Sequence, residues 1–184
     1  MLTLSYVLLD CDVFRHFHRG GKLDVLPNIF PQSLVVLDIV KNELLRSKSL
    51  LYPYSLFIST YNIPEINFPS DNKYIIEYAS LISKMKGEGE SACMAYAKFN
   101  PEFAIASSNL KDIEAYCNGN KIPFVTTMDI LVMANKKHII SVDDCNKFIS
   151  TVKATGSSLP VKSLQEFVND YPMREIKITK PKKK

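Results

Sequence analysis

The sequence predicts an α/β protein, a three-layer α/β/α sandwich around a central, mainly parallel sheet. Residues 4–9 form a short apolar run ending in Asp10-Cys11-Asp12, as a strand buried on both faces would. From residue 103 onward, strand-like and helix-like segments alternate at the spacing of a parallel sheet with helices on both faces. The 184 residues, 46% apolar and 23% charged, suit one domain with a substantial core.

After the first strand Gly20-Gly21 breaks the chain, and a short helix is expected over 22–30, stopped by Pro31. Residues 33–37 read as the second strand and 38–47 as a helix, with Ile39, Val40, Leu44 and Leu45 along its apolar stripe and Glu43 on the flank. Residues 51–69 carry three prolines in an irregular pattern and read as a short strand at 56–59 within a connecting loop. The aromatic side chains between 52 and 78 are expected in the core or in a homodimer contact. A long helix capped by Ser70 or Asp71 should reach Met85, with Ile75, Ala79, Ile82 and Met85 on its buried face. Gly87-Glu88-Gly89-Glu90 interrupts the pattern, and a new helix should run over 90–99. Strands are then expected at 103–106 and 122–126, and helices at 109–117, 128–137, 142–153 and 162–168. The domain is placed at 1–173, followed by a basic tail at 174–184.

No apolar run approaches the ~18 residues of a membrane span, and no signal-peptide pattern opens the chain, so a cytoplasmic protein is expected. The four cysteines form no CxxC pair, and His16, His18 and His138 complete no zinc spacing with them. Reduced, buried cysteines are expected. The net charge of +4 resides in Lys180, Lys182, Lys183 and Lys184; without them 19 basic side chains face 19 acidic ones. Lys182, Lys183 and Lys184 are candidates for a nucleic-acid contact, although a lysine-rich end is usually just solvated.

Ligand sites of open α/β sheets lie beyond the carboxyl ends of the strands. Asp10 ends the first strand, Asp112 opens a helix after a later one, and Glu43 and Glu90 lie on helices entered from the same end. Carboxylates converging there would repel one another and resist ionisation. Mg²⁺ or Mn²⁺ relieves this, since hard cations take oxygen ligands, and a cation so held can activate water against a phosphodiester. Taken alone, Glu43 would be a solvated helix residue, and Asn109-x-x-Asp112 would fit a helix cap. Asp129 reads as a helix-start acid.

Residues 6–13, Tyr-Val-Leu-Leu-Asp-Cys-Asp-Val, resemble the opening strand of PIN domains. Glu43-Leu44 resembles the second PIN motif, and Gly87-Glu88-Gly89-Glu90-Ser91-Ala92 resembles the Gly-Glu-x-x-Ala form of the third. Ser107-Ser108-Asn109-Leu110-Lys111-Asp112 is similar to the fourth, a small hydroxylic residue followed by Asn-x-x-Asp. The resemblance is ordered and spans residues 4–135. It implies a metal-dependent ribonuclease acting on single-stranded RNA, often the toxin of a toxin–antitoxin pair, with an antitoxin protein as partner. It further implies Asp10, Glu43, Glu90 and Asp112 as catalytic metal ligands, supported by Asp12, Ser108 and Asn109. Many PIN domains have Asn at the position of Asp12 and Asp at that of Glu90, so a catalytically inactive binding module is one alternative. A haloacid dehalogenase-type phosphatase using Asp10 is the other, although Asp12 lacks the Gly-Thr turn that should follow it.

Overall fold

The computed structural model describes residues 4–85 and 87–179. Five parallel strands form one sheet in the order β3-β2-β1-β4-β5: β1 (Tyr6–Leu9), β2 (Leu34–Leu37), β3 (Glu65–Ile66), β4 (Phe103–Ala106) and β5 (Phe124–Val125). Ten α-helices flank it among the described residues: α1 (Cys11–Arg19), α2 (Val25–Ile29), α3 (Asp38–Leu45), α4 (Leu51–Tyr61), α5 (Asn72–Met85), α6 (Glu88–Phe99), α7 (Leu110–Asn120), α8 (Thr127–Lys136), α9 (Val142–Ala154) and α10 (Leu164–Asp170). Helices α3, α5 and α7 pack around α6, while α2, α9 and α10 pack around α8, giving the three layers.

Val7, Leu8 and Leu9 are completely or almost completely buried, as are the four residues of β2 and Ala104 to Ala106 of β4. Such strands carry no polar face, so helices must cover both sides. The chain winds outward from β1 through β2 to β3, then returns to β4 on the other side of β1 and continues to β5. The order therefore reverses between β1 and β4, where an open sheet leaves a crevice. Leu9 pairs with Ala106, so Asp10 and Ser107 leave the sheet side by side.

Two expectations need correction. Residues 56–59 are not a strand but part of α4, which buries Tyr54 and Phe57 edge-on against Phe14. Pro53 is tolerated because it lies in the first helical turn, where an N–H has no intrahelical acceptor. The third strand is instead the two-residue β3, within the expected loop. In α5 the buried side is set by Tyr74, Tyr78 and Leu81, while Ile75 and Ala79 face solvent. The described residues of the expected tail, 174–179, contact the body. Arg174 N–H donates to Asp129, Thr179 N–H donates to Leu4 O, and Ile178 bridges to Leu4. Lys180, Lys182, Lys183 and Lys184 lie outside the described residues.

All four cysteines are buried and free. Between positions 52 and 78, Tyr54, Phe57 and Tyr74 enter the core, whereas Tyr52 and Tyr61 are exposed. Among the described residues no helix is long and apolar enough to cross a membrane.

Candidate metal centre

Asp10 follows the last residue of β1 and caps α1, its Oδ1 accepting the Cys11 N–H at 2.7 Å. Asp12 sits in the first turn of the same helix. Across the crevice, the segment after β4 brings Ser107, Ser108 and Asn109, then Asp112 in the first turn of α7. Helices α3 and α6 supply Glu43 and Glu90. Asp10, Asp12, Glu43, Glu90, Asn109 and Asp112 line one cleft of about 280 Å³, together with Cys11, Arg15 and Gly87.

The tightest group within it is Asp10, Asp12 and Glu90, each of which brings one carboxylate oxygen to within 4.8 Å of the others'. Glu43 and Asp112 share the cleft but stand outside this trio. Asp12, read from sequence as a supporting acid, thus occupies a more central place than two of the residues read as ligands. Among the described residues no histidine or cysteine joins the group.

Each acid is held from a different direction. Asp12 accepts the Val13 N–H through Oδ1 and the Ser108 N–H through Oδ2, at 2.6 and 2.7 Å. Glu43 accepts the Gly89 N–H at 2.9 Å, and the Arg15 guanidinium stands 3.6 Å from its other oxygen. The Asn109 amide donates to Asp112 Oδ2 at 2.8 Å and to Glu90 Oε2 at 3.3 Å. Asn109 is the N-cap residue of α7 by position only, since its side chain makes no capping bond and is turned to the carboxylates instead. Ser108 serves the site through its backbone; its hydroxyl donates to Thr127 Oγ1 and accepts the Thr127 N–H. Glu88 points away and pairs with Arg46 on the surface. Helix α6 begins at Glu88 rather than Glu90, but Cys93, Met94 and Ala97 are buried, so Glu90 does stand at the head of a buried stripe.

Two further contributors were not read from sequence. Gly89 brings the backbone of α6 against the acids: a Cβ there would lie 2.9 Å from Asp10 Oδ1 and 3.1 Å from Glu43 Oε2. Arg15 sits three residues after Asp12 on α1, a spacing that places them on one helix face. That signal was readable only once residues 11–19 were known to be helical.

The acids lie where charge is costly. Burial, with Glu43 nearby, pushes the Asp10 carboxyl up to about 6 against the opposing Cys11 N–H. Burial and the Asp10 charge push Glu90 up to about 8, and Asp12 moves well above its ordinary range for the same two reasons. Asp10 Oδ2 is buried with no hydrogen-bond partner, and so is Ser107 Oγ. That hydroxyl lies near enough to steady the Asp10 charge but makes no hydrogen bond of ordinary geometry. A buried oxygen without a donor, amid carboxylates that resist ionisation, fits a hard divalent cation.

Other candidates resolve differently. Asp129 closes a capping box with Thr126 at the start of α8 and binds Arg174, away from the cleft. His16 is buried against Thr127, and burial lowers it to about 4, so it is neutral near pH 7. Comparisons with protein-family models, curated proteins and solved structures found no match to this chain.

Proposed function

We propose that this chain is a divalent-metal-dependent endoribonuclease that hydrolyses single-stranded RNA. The observation that supports it most is the convergence of Asp10, Asp12 and Glu90 within 4.8 Å, at the crevice where the strand order reverses. The donor set is all oxygen, which suits Mg²⁺ or Mn²⁺ over softer metals. A cation held there would lower the pKa of water and offset the charge that develops on a phosphodiester. Asp10, Asp12 and Glu90 would hold it, with Glu43 and Asp112 available to its outer ligands.

The remaining residues orient these acids. Asn109 tethers Glu90 to Asp112, and the Gly89 N–H steadies Glu43. Arg15 lines the cleft beside the acids and offers a positive charge to a phosphate entering it. Asp10 is 1% exposed with one oxygen engaged by the Cys11 N–H, a poor setting for the nucleophile of an aspartyl-phosphate phosphatase. The toxin role, an antitoxin partner, a homodimer and a cytoplasmic location rest on the sequence resemblance and composition, and belong to this proposal.

The test is cleavage of a labelled single-stranded RNA by the purified chain. It should stop in chelator, return with Mn²⁺ and be lost in Asp10→Asn. Cleavage that survives the chelator, or is equal in the variant, would refute the reading. Turnover of phosphomonoesters but not RNA would favour the phosphatase, and metal binding without turnover the inactive module.

A further inference from the structure

The acidic cleft does not end at the carboxylates. A second groove of about 510 Å³ shares Asp12, Arg15, Glu90 and Asn109 with it and continues to Arg19 and the Ser157-Ser158 loop. The sign of charge changes along this path. Acids cluster at one end, Arg15 stands at the junction near Glu43, and Arg19 marks the far end. Arg19 forms no ion pair among the described residues; its guanidinium donates to the Ser157 hydroxyl.

Helix α1 sets the spacing. Asp12, Arg15 and Arg19 follow at i, i+3 and i+7, one face of one rigid element. Seven residues of helix rise roughly 10 Å, so a phosphate held by Arg19 is not the one seated at the acids. An arginine with no carboxylate partner among the described residues, on a groove continuous with a metal-type cleft, is suited to a second phosphate on the same strand.

We infer that this groove is a phosphate subsite, in which Arg19 grips the backbone of a single strand away from the bond being cut. Resting on the nuclease reading, this names the substrate class: a polynucleotide that spans both ends, not a lone nucleotide or phosphomonoester. Arg15 bridges the two regions, and the Ser157 hydroxyl holds Arg19 in place until phosphate replaces it.

Binding of a fluorescent single-stranded RNA to the full chain, measured by anisotropy in chelator, tests the subsite without turnover. Arg19→Ala should weaken binding about tenfold, the usual effect of losing a charged hydrogen bond. It should also reduce the slope of log affinity against log salt by about 0.7, the share of one contact on a single strand. Arg19→Lys, which keeps the charge, should restore most of the slope, and an unchanged melting temperature in both variants excludes misfolding. In Mn²⁺, wild type should cleave an RNA carrying a neighbouring phosphate better than a dinucleoside monophosphate, and Arg19→Ala should erase that preference. Wild-type affinity and slope in Arg19→Ala would overturn the subsite, as would failure of wild type to bind the strand. Arg19-dependent binding with no cleavage in any divalent metal would retain the subsite and remove the nuclease reading.

Discussion

The backbone N–H of Gly89 donates to Glu43 Oε2 at 2.9 Å, and a Cβ at Gly89 would lie 2.9 Å from Asp10 Oδ1. Helix α6 therefore approaches the acids as closely as a residue without a side chain allows. Gly89→Ala sets two effects against each other. Alanine in a helix gains about 1 kcal/mol over glycine, while overpacking a buried site costs about 1–3 kcal/mol. Overpacking should win, because Asp10 is buried and tied to Cys11 and has little room to yield. The melting temperature should fall by a few degrees, and Mg²⁺ affinity by titration calorimetry should drop at least tenfold. Unchanged Mg²⁺ affinity would show that the close approach is only packing.

Glu90 and Glu88 lie two residues apart with opposite surroundings. Glu90 faces Asp10 and Asp12, whereas Glu88 pairs with Arg46 at the surface, where water screens an ion pair and leaves it little weight in stability. Glu90→Gln should abolish most RNA cleavage yet raise the metal-free melting temperature, since it removes a charge the fold resists. Glu88→Gln should leave cleavage within about twofold, as expected for a surface pair. The reverse ranking in the cleavage assay would refute the assignment.

What was legible in the sequence follows from how local each signal is. The buried strands and the Asp10, Asp12 and Glu90 positions were readable because an apolar run ending in an acid, or a glycine pair before a helical stripe, announces itself within a few residues. Helix α4 was not, because Leu56, Phe57 and Ile58 satisfy a strand pattern and only their packing on Phe14 decides for helix. In α5, Ile75 looked like the buried residue, yet the rings of Tyr74 and Tyr78 fill that side, and the Tyr74 hydroxyl accepts from the Asn100 amide. Asn109 matched a capping pattern that it does not use, because Asp112 on its own helix and Glu90 across the crevice compete for its amide. Gly89 and Arg15 both meet Glu43, which is distant from them in the chain, and no local pattern reports that.

Metal-free stability should fall as pH rises from 6.5 to 8. Glu90 is raised from 4.5 to about 8, so in that interval the folded chain retains a proton that the unfolded chain has released. Stability decreases with pH wherever the folded state binds more protons. Asp10, raised to about 6, adds the same trend mostly below this window. His16, lowered to about 4, opposes it below 6.5, because a folded chain that keeps this imidazole neutral gains stability as pH rises from 4 to 6.5. Asp12, held well above its ordinary range by burial and the neighbouring Asp10 charge, works in the same direction as Glu90. Melting curves in chelator and in saturating Mg²⁺ check this. The decline should appear in chelator and vanish with Mg²⁺, and equal slopes in both would contradict a cation at Glu90.

Asn109→Asp offers the sharpest test of charge balance in the cleft. The Asn109 amide gives its protons to Asp112 Oδ2 at 2.8 Å and to Glu90 Oε2 at 3.3 Å. Aspartate would set a third carboxylate oxygen against both acceptors, with no proton to share unless one group stays neutral. At an effective dielectric constant near 20, two charges so close repel by several kcal/mol before the side chains swing apart, which is an upper bound. After relaxation a loss of about 1–3 kcal/mol is reasonable, or roughly 3–10 °C in melting temperature for a chain of this size. Saturating Mg²⁺ should recover most of that loss, because the added acid then faces a cation. Asn109→Ala removes the same two hydrogen bonds without adding charge, so its smaller loss should not be recovered by metal. If Mg²⁺ leaves the gap between Asn109→Asp and wild type unchanged, these carboxylates do not share a cation.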